Sequence, residues 1–148
     1  ARAFGCDVWG YNRTPKDEAI HYADLETVLR TSDIISIHLP LTSETKGIIG
    51  KKEIALMKKT AILINTARGP VLDAESLAEA LRKERIAGID VYDTEPPLPA
   101  DHPLLSAPHC ILTPHIGFFS KEAMERRAGI VFDNIRAWAE GRQKNIIC

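Results

Sequence analysis

Ala61-Ile62-Leu63-Ile64-Asn65-Thr66-Ala67-Arg68-Gly69 is the stretch on which the reading of this chain turns. Residues 62–64 form a short apolar run without polar alternation, as in a strand buried within a parallel sheet. Asn65, Thr66 and Ala67 lead out of it to a cation. Open parallel sheets bind ligands at the carboxyl ends of their strands. A guanidinium placed there can grip a carboxylate through two parallel hydrogen bonds. Isolated surface arginines are common, so Arg68 gains meaning only from neighbours that converge on the same edge.

Outward from this stretch, strands and helices alternate. Asp7–Tyr11, Asp33–Leu39, Ala87–Val91 and Cys110–Thr113 read as further strands, and Pro40 stops the second of these. Asp24, Asp73 and Ser120 are N-cap residues at the starts of helical patterns. Gly50–Lys59 reads as a short amphipathic helix with Ile54 and Met57 on one face. Leu77, Ala80 and Leu81 recur at helical spacing. The longest helix runs to about Glu140, before Gly141. Asn12-Arg13-Thr14-Pro15 is a turn, and the prolines at 96, 97, 99, 103 and 108 mark a rigid loop. This order predicts an α/β fold with a doubly wound parallel sheet covered on both faces. Ala1–Phe4 before Gly5 read as the last turn of a helix with a glycine cap, so the chain reads as part of a longer protein.

The 148 residues suit a single domain, 1–148, with a real core. A hydrophobic share of 45% and a charged share of 26% are ordinary for a globular protein. A net charge of -1 gives no reason to expect nucleic acid or an anionic membrane as partner. The three cysteines, Cys6, Cys110 and Cys148, are scattered and odd in number, which favours a reducing, cytoplasmic setting over a disulfide scaffold. No cysteine–histidine cluster suggests a metal site.

Three strand ends carry groups that a core cannot use. One gives Arg68, the next Asp90 and Glu95, and the last His115. In a parallel sheet these ends share one edge. An arginine, a carboxylate and a histidine there form a set for carbonyl reduction without a metal. The arginine binds a substrate carboxylate, the histidine donates or accepts the proton, and the carboxylate orients the histidine and favours its charged form. Taken singly, Glu95 is equally a solvated loop acid and His115 equally a turn residue. His38 and His102 read as structural.

Four spaced segments carry a family resemblance. They are His38-Leu39-Pro40-Leu41-Thr42 with Thr45, Ile64–Gly69, Gly88–Pro96, and Thr113-Pro114-His115-Ile116-Gly117. Together they resemble the D-isomer-specific 2-hydroxyacid dehydrogenases, over essentially the whole chain. The resemblance implies a Rossmann-like nicotinamide dinucleotide-binding domain and hydride transfer between NAD(P)H and C2 of a D-2-hydroxy acid/2-oxo acid pair. It puts catalytic roles on Arg68, Glu95 and His115. It puts cofactor contacts on Leu39, Pro40, Thr66, Ala67, Asp90 and Gly117, with Asp90 at the nicotinamide carboxamide. It implies a homodimer in the full-length parent. Set against that family, the chain lacks the first strand, the glycine-rich phosphate loop and the substrate domain, so by itself it is expected to be inactive. NAD-preferring members carry an acid where this sequence has Asn12, followed by Arg13, which favours NADP over NAD. Non-enzymatic corepressors share the fold, so a dinucleotide-sensing scaffold is the alternative reading.

Overall fold

A computed structural model of the chain describes residues 1–14 and 20–146. Pro15, the last residue of the expected turn, and Cys148 lie outside the described residues. The chain forms two compact units, 1–115 and 116–148.

In the first unit, strands β3 (Ile34–Ile37), β4 (Ile62–Asn65), β5 (Ile86–Ile89) and β6 (Cys110–Leu112) lie side by side in that order, all parallel. Helices α1 (Leu25–Thr31), α2 (Lys51–Leu56) and α3 (Ala74–Leu81) pack in sequence against one face. Asp24 and Asp73 cap α1 and α3 by accepting the N–H groups of Thr27 and Ser76. Leu29, Leu63, Leu77, Leu81 and Val71 are fully buried between the layers. Truncating one such leucine to alanine costs about 2–5 kcal/mol.

The opposite face of the sheet also carries apolar side chains, as the unbroken apolar strands predict. Ile34, Ile86 and Ile111 project from it and are 59%, 46% and 72% exposed. An unbroken apolar strand records that both faces are greasy, but not which element covers each one.

Two shorter strands, β1 (Trp9–Gly10) and β2 (His21–Tyr22), form a separate parallel pair. β2 is a strand the sequence pattern did not reveal; two residues carry no period. The break between β1 and β3 lies where the doubly wound order puts its first strand. A cleft of about 610 Å³ runs between them, lined along both strands from Val8 to Thr14 and from Ile34 to Pro40. Ahead of β1, Arg2–Phe4 form a single 3₁₀ turn closed by Gly5 at φ 77°, a left-handed conformation that glycine adopts without a Cβ clash.

The second unit contains α4 (Lys121–Ala139), whose N-cap Ser120 accepts from the Ala123 N–H at 3.1 Å. Phe118 and Phe119 meet edge to face, and the Arg127 guanidinium lies 5.7 Å from the Phe118 ring.

Candidate active site

Register aligns Ile37, Asn65, Ile89 and Leu112 in one row across the sheet. The next residues, His38, Thr66, Asp90 and Thr113, therefore mark its carboxyl edge. Arg68, Glu95 and His115 follow from the three adjacent strands β4, β5 and β6.

The β4 exit is shaped by Asn65, which is completely buried. Its Oδ1 accepts the Ala67 N–H and its Nδ2 donates to the Arg68 carbonyl, both at 3.0 Å. A buried amide with donor and acceptor both used fixes a turn more firmly than backbone alone. Arg68 is thereby held at the exposed rim, its Nη1 donating to the Ala67 carbonyl. Among the described residues it makes no ion pair, so the guanidinium retains donors for an incoming anion. Gly69 then passes against the next strand's exit. A Cβ there would stand 1.9 Å from the carbonyl carbon and oxygen of Tyr92, so only glycine fits this approach.

After β5, Asp90 is 5% exposed and accepts a hydrogen bond from the Thr113 hydroxyl. The Tyr92 hydroxyl donates to the Thr113 carbonyl at 2.9 Å. Burial, then the nearby Cys110 and Asp90, hold that hydroxyl above the usual phenol range, so it remains a donor. Burial also pushes the Cys110 thiol up to about 11, which removes it as a nucleophile at neutral pH.

After β6, His115 stands with φ 58°. A left-handed conformation is uncommon for a residue with a Cβ and marks a position its surroundings hold. Its Nδ1 lies 3.0 Å from Glu95 Oε2 and 3.2 Å from Oε1. The Glu95 side chain is 78% exposed and that of His115 36%. The geometry thus brings Glu95 and His115 into contact and sets Arg68 in the turn after β4, the strand beside β5. Gly117 belongs to the second unit.

On the other side of the edge, Leu39 and Pro40 follow β3. The Thr45 hydroxyl donates to the Pro40 carbonyl at 2.6 Å and accepts the Thr42 N–H at 2.8 Å, which shapes this turn. Asn12 and Arg13 follow β1, and the Arg13 guanidinium reaches Glu44 at 3.7 Å. The carboxyl edge thus offers an open cleft behind Asn12 and Arg13 and a buried carboxylate at Asp90. Among the described residues no cluster of histidine, cysteine and acid could hold a metal ion, and no helix is long and apolar enough to cross a membrane.

Adjacent parallel strands with helices between them define a Rossmann-like α/β domain. Solved structures bear this out. A protein of Thermus thermophilus superposes with TM-score 0.89 at 43% identity, over 97% of this chain and 46% of that one. D-lactate dehydrogenase with NAD+ from Lactobacillus jensenii gives 0.88 at 36% identity, over 99% and 49%. Glyoxylate reductase of Thermococcus litoralis is 45% identical over 95% of this chain and 44% of that protein. A sequence profile for the D-isomer specific 2-hydroxyacid dehydrogenase, NAD binding domain, matches residues 1–117. The chain belongs to that family. It spans about half the length of the relatives it matches.

Proposed function

We propose that the chain, 1–148, is most of the dinucleotide-binding domain of a longer NAD(P)-dependent oxidoreductase. Its reaction would interconvert a D-2-hydroxy acid and the corresponding 2-oxo acid. The observation that carries this reading is the contact of His115 with Glu95 at the exits of neighbouring strands. The bound nicotinamide would supply or accept the hydride. His115 would deliver a proton to the carbonyl oxygen in reduction and take it back in oxidation, with Glu95 holding the ring in place. Arg68 would hold the substrate carboxylate and favour the negative charge that develops on the carbonyl oxygen. Asp90 would receive the carboxamide, and Leu39, Pro40, Thr66, Ala67 and Gly117 would line the cofactor.

Asn12 and Arg13 favour NADP(H) over NAD(H), since no acid stands at position 12 to repel a 2′-phosphate and Arg13, by giving up its contact with Glu44, can pair with it. Comparing kcat/KM for NADPH and NADH in the full-length protein tests this, and a preference for NADH refutes it. A homodimer in the cytoplasm completes the proposal.

Turnover of glyoxylate, hydroxypyruvate or pyruvate by the full-length protein is the test of function. Dinucleotide binding with no turnover of any of the three would favour the corepressor-like scaffold. The 148-residue chain alone should bind NADH and NADPH far more weakly in calorimetry than the full-length protein. Its sequence has no glycine-rich loop to offer backbone N–H groups to a pyrophosphate.

A further inference from the structure

Glu95 occupies a long loop between β5 and β6 that contains neither helix nor strand. Its carboxylate is mostly exposed, so burial does not hold it in front of His115. Something else must fix the backbone that carries it.

His102 provides that fixture. Its side chain is 5% exposed, and its ring is saturated with partners. The Leu104 N–H donates to Nδ1 at 3.3 Å, which makes Nδ1 the acceptor and leaves the proton on Nε2. Nε2 lies 3.1 Å from Asp93 Oδ1 and donates to it. The contact ties residue 93 to residue 102 and closes a short ring of chain that contains Glu95. Closing a loop restricts the conformations open to the residues within it. Each end of the ring is anchored in turn. Leu104 is 2% exposed within the core. The His102 ring meets Tyr92 edge to face at 5.8 Å, and Tyr92 is hydrogen-bonded to the Thr113 carbonyl, two residues before His115. The loop bearing the acid and the turn bearing the histidine are thus fastened to one another behind the site.

We infer that His102, through its hydrogen bond to Asp93, is a positioning residue that holds Glu95 against His115. This rests on the proposed roles of Glu95 and His115. The functional consequence is a misplacement of the carboxylate when the tie is cut.

The test is a double-mutant cycle in the full-length protein, with NADPH or NADH and whichever of glyoxylate or hydroxypyruvate it reduces. His102→Leu and Asp93→Ala are each made alone and combined with Glu95→Gln. Each should lower kcat about tenfold in the parent, as expected for a slightly misplaced catalytic group, with less change in KM. In the Glu95→Gln background each should cost less than about twofold, because they act through the same group. Asp93→Asn, whose amide oxygen still accepts the bond, should recover most of what Asp93→Ala loses. Asp93 is 59% exposed, so its variants test the inference even if His102→Leu fails to fold. Equal losses in both backgrounds, or no loss in either, would overturn the positioning role while the reading of the site stands. A Glu95→Gln variant with unchanged kcat would overturn both.

Discussion

The two halves of the carboxyl edge are built differently. Behind the exits of β5 and β6, the buried Asp90 and His102 and the half-buried Tyr92 are bonded to the neighbouring exits: Asp90 to Thr113, Tyr92 to Thr113, His102 to Asp93. Beyond β1, Asn12 and Arg13 are exposed, and Arg13 meets Glu44 across 3.7 Å with side chains 88% and 77% exposed. An exposed pair at that distance adds little to stability. The half proposed for proton transfer is fixed from behind by the core, whereas the half proposed to choose the coenzyme is a surface contact. Substitutions in the first should therefore disturb structure and rate together. Those in the second should alter preference and leave the fold alone.

The largest effect tests the fixed half. His115→Ala in the full-length protein should lower kcat by roughly 100- to 10,000-fold, the usual worth of a positioned acid–base group. A kcat within a few-fold of the parent's would remove His115 from the chemistry. Gly69→Ala comes next. Its Cβ would collide with the Tyr92 backbone, so the two exits must part, at roughly 1–3 kcal/mol. Urea unfolding of the 148-residue chain measures this, and an unchanged midpoint would mean that the approach of the two exits is slack.

Asp73 caps α3, the helix that follows the Arg68 turn. Asp73→Ala should cost about 1 kcal/mol through loss of the α3 cap. The N–H and hydroxyl of Ser76 hold the Asp73 carboxyl below its usual range, its folded value lying under the unfolded one. Its stabilisation is thus complete above the ordinary aspartate range and fades as pH falls through the depressed value. The stability difference between parent and variant should narrow on acidification over that window. A difference that stays constant down to full protonation would show that the cap does not depend on charge.

The smallest structural effect belongs to the loose half. Asn12→Asp should move the NADPH/NADH ratio of kcat/KM towards NADH and change stability by no more than about 0.5 kcal/mol, as surface substitutions do. A large loss of stability there would erase the contrast between the halves.

The sequence made the main sheet legible because its strands are apolar, short and separated by capped helices. Asp24, Asp73 and Ser120 each accept the backbone N–H expected of a cap. It could not reveal β2, whose two residues have no pattern. For the candidate site, strand exits were enough to suggest that Glu95 and His115 share an edge, and the geometry sets them in contact. What fixes that edge was hidden. Asn65 read as the end of a strand, though its amide builds the Arg68 turn. The need for glycine at 69 depends on the backbone of Tyr92, and the role of His102 depends on Asp93. A linear pattern carries neither contact, because each is made only when separate segments meet.

The parallel register also works as a ruler. Neighbouring strands stand about 4.8 Å apart, so the exits of β4 and β6 are separated by roughly 10 Å, with β5 between them. A guanidinium on the first exit and an imidazole on the third can both reach a molecule over the middle strand only if it is compact. In the proposed reaction the carboxylate and the reactive carbon are bonded directly to one another, so the arginine and histidine side chains would have to close most of that gap to meet neighbouring atoms of one molecule. A tail would extend away from the carboxylate and the reactive carbon, so variation in chain length among possible substrates would be read elsewhere than at Arg68, Glu95 and His115.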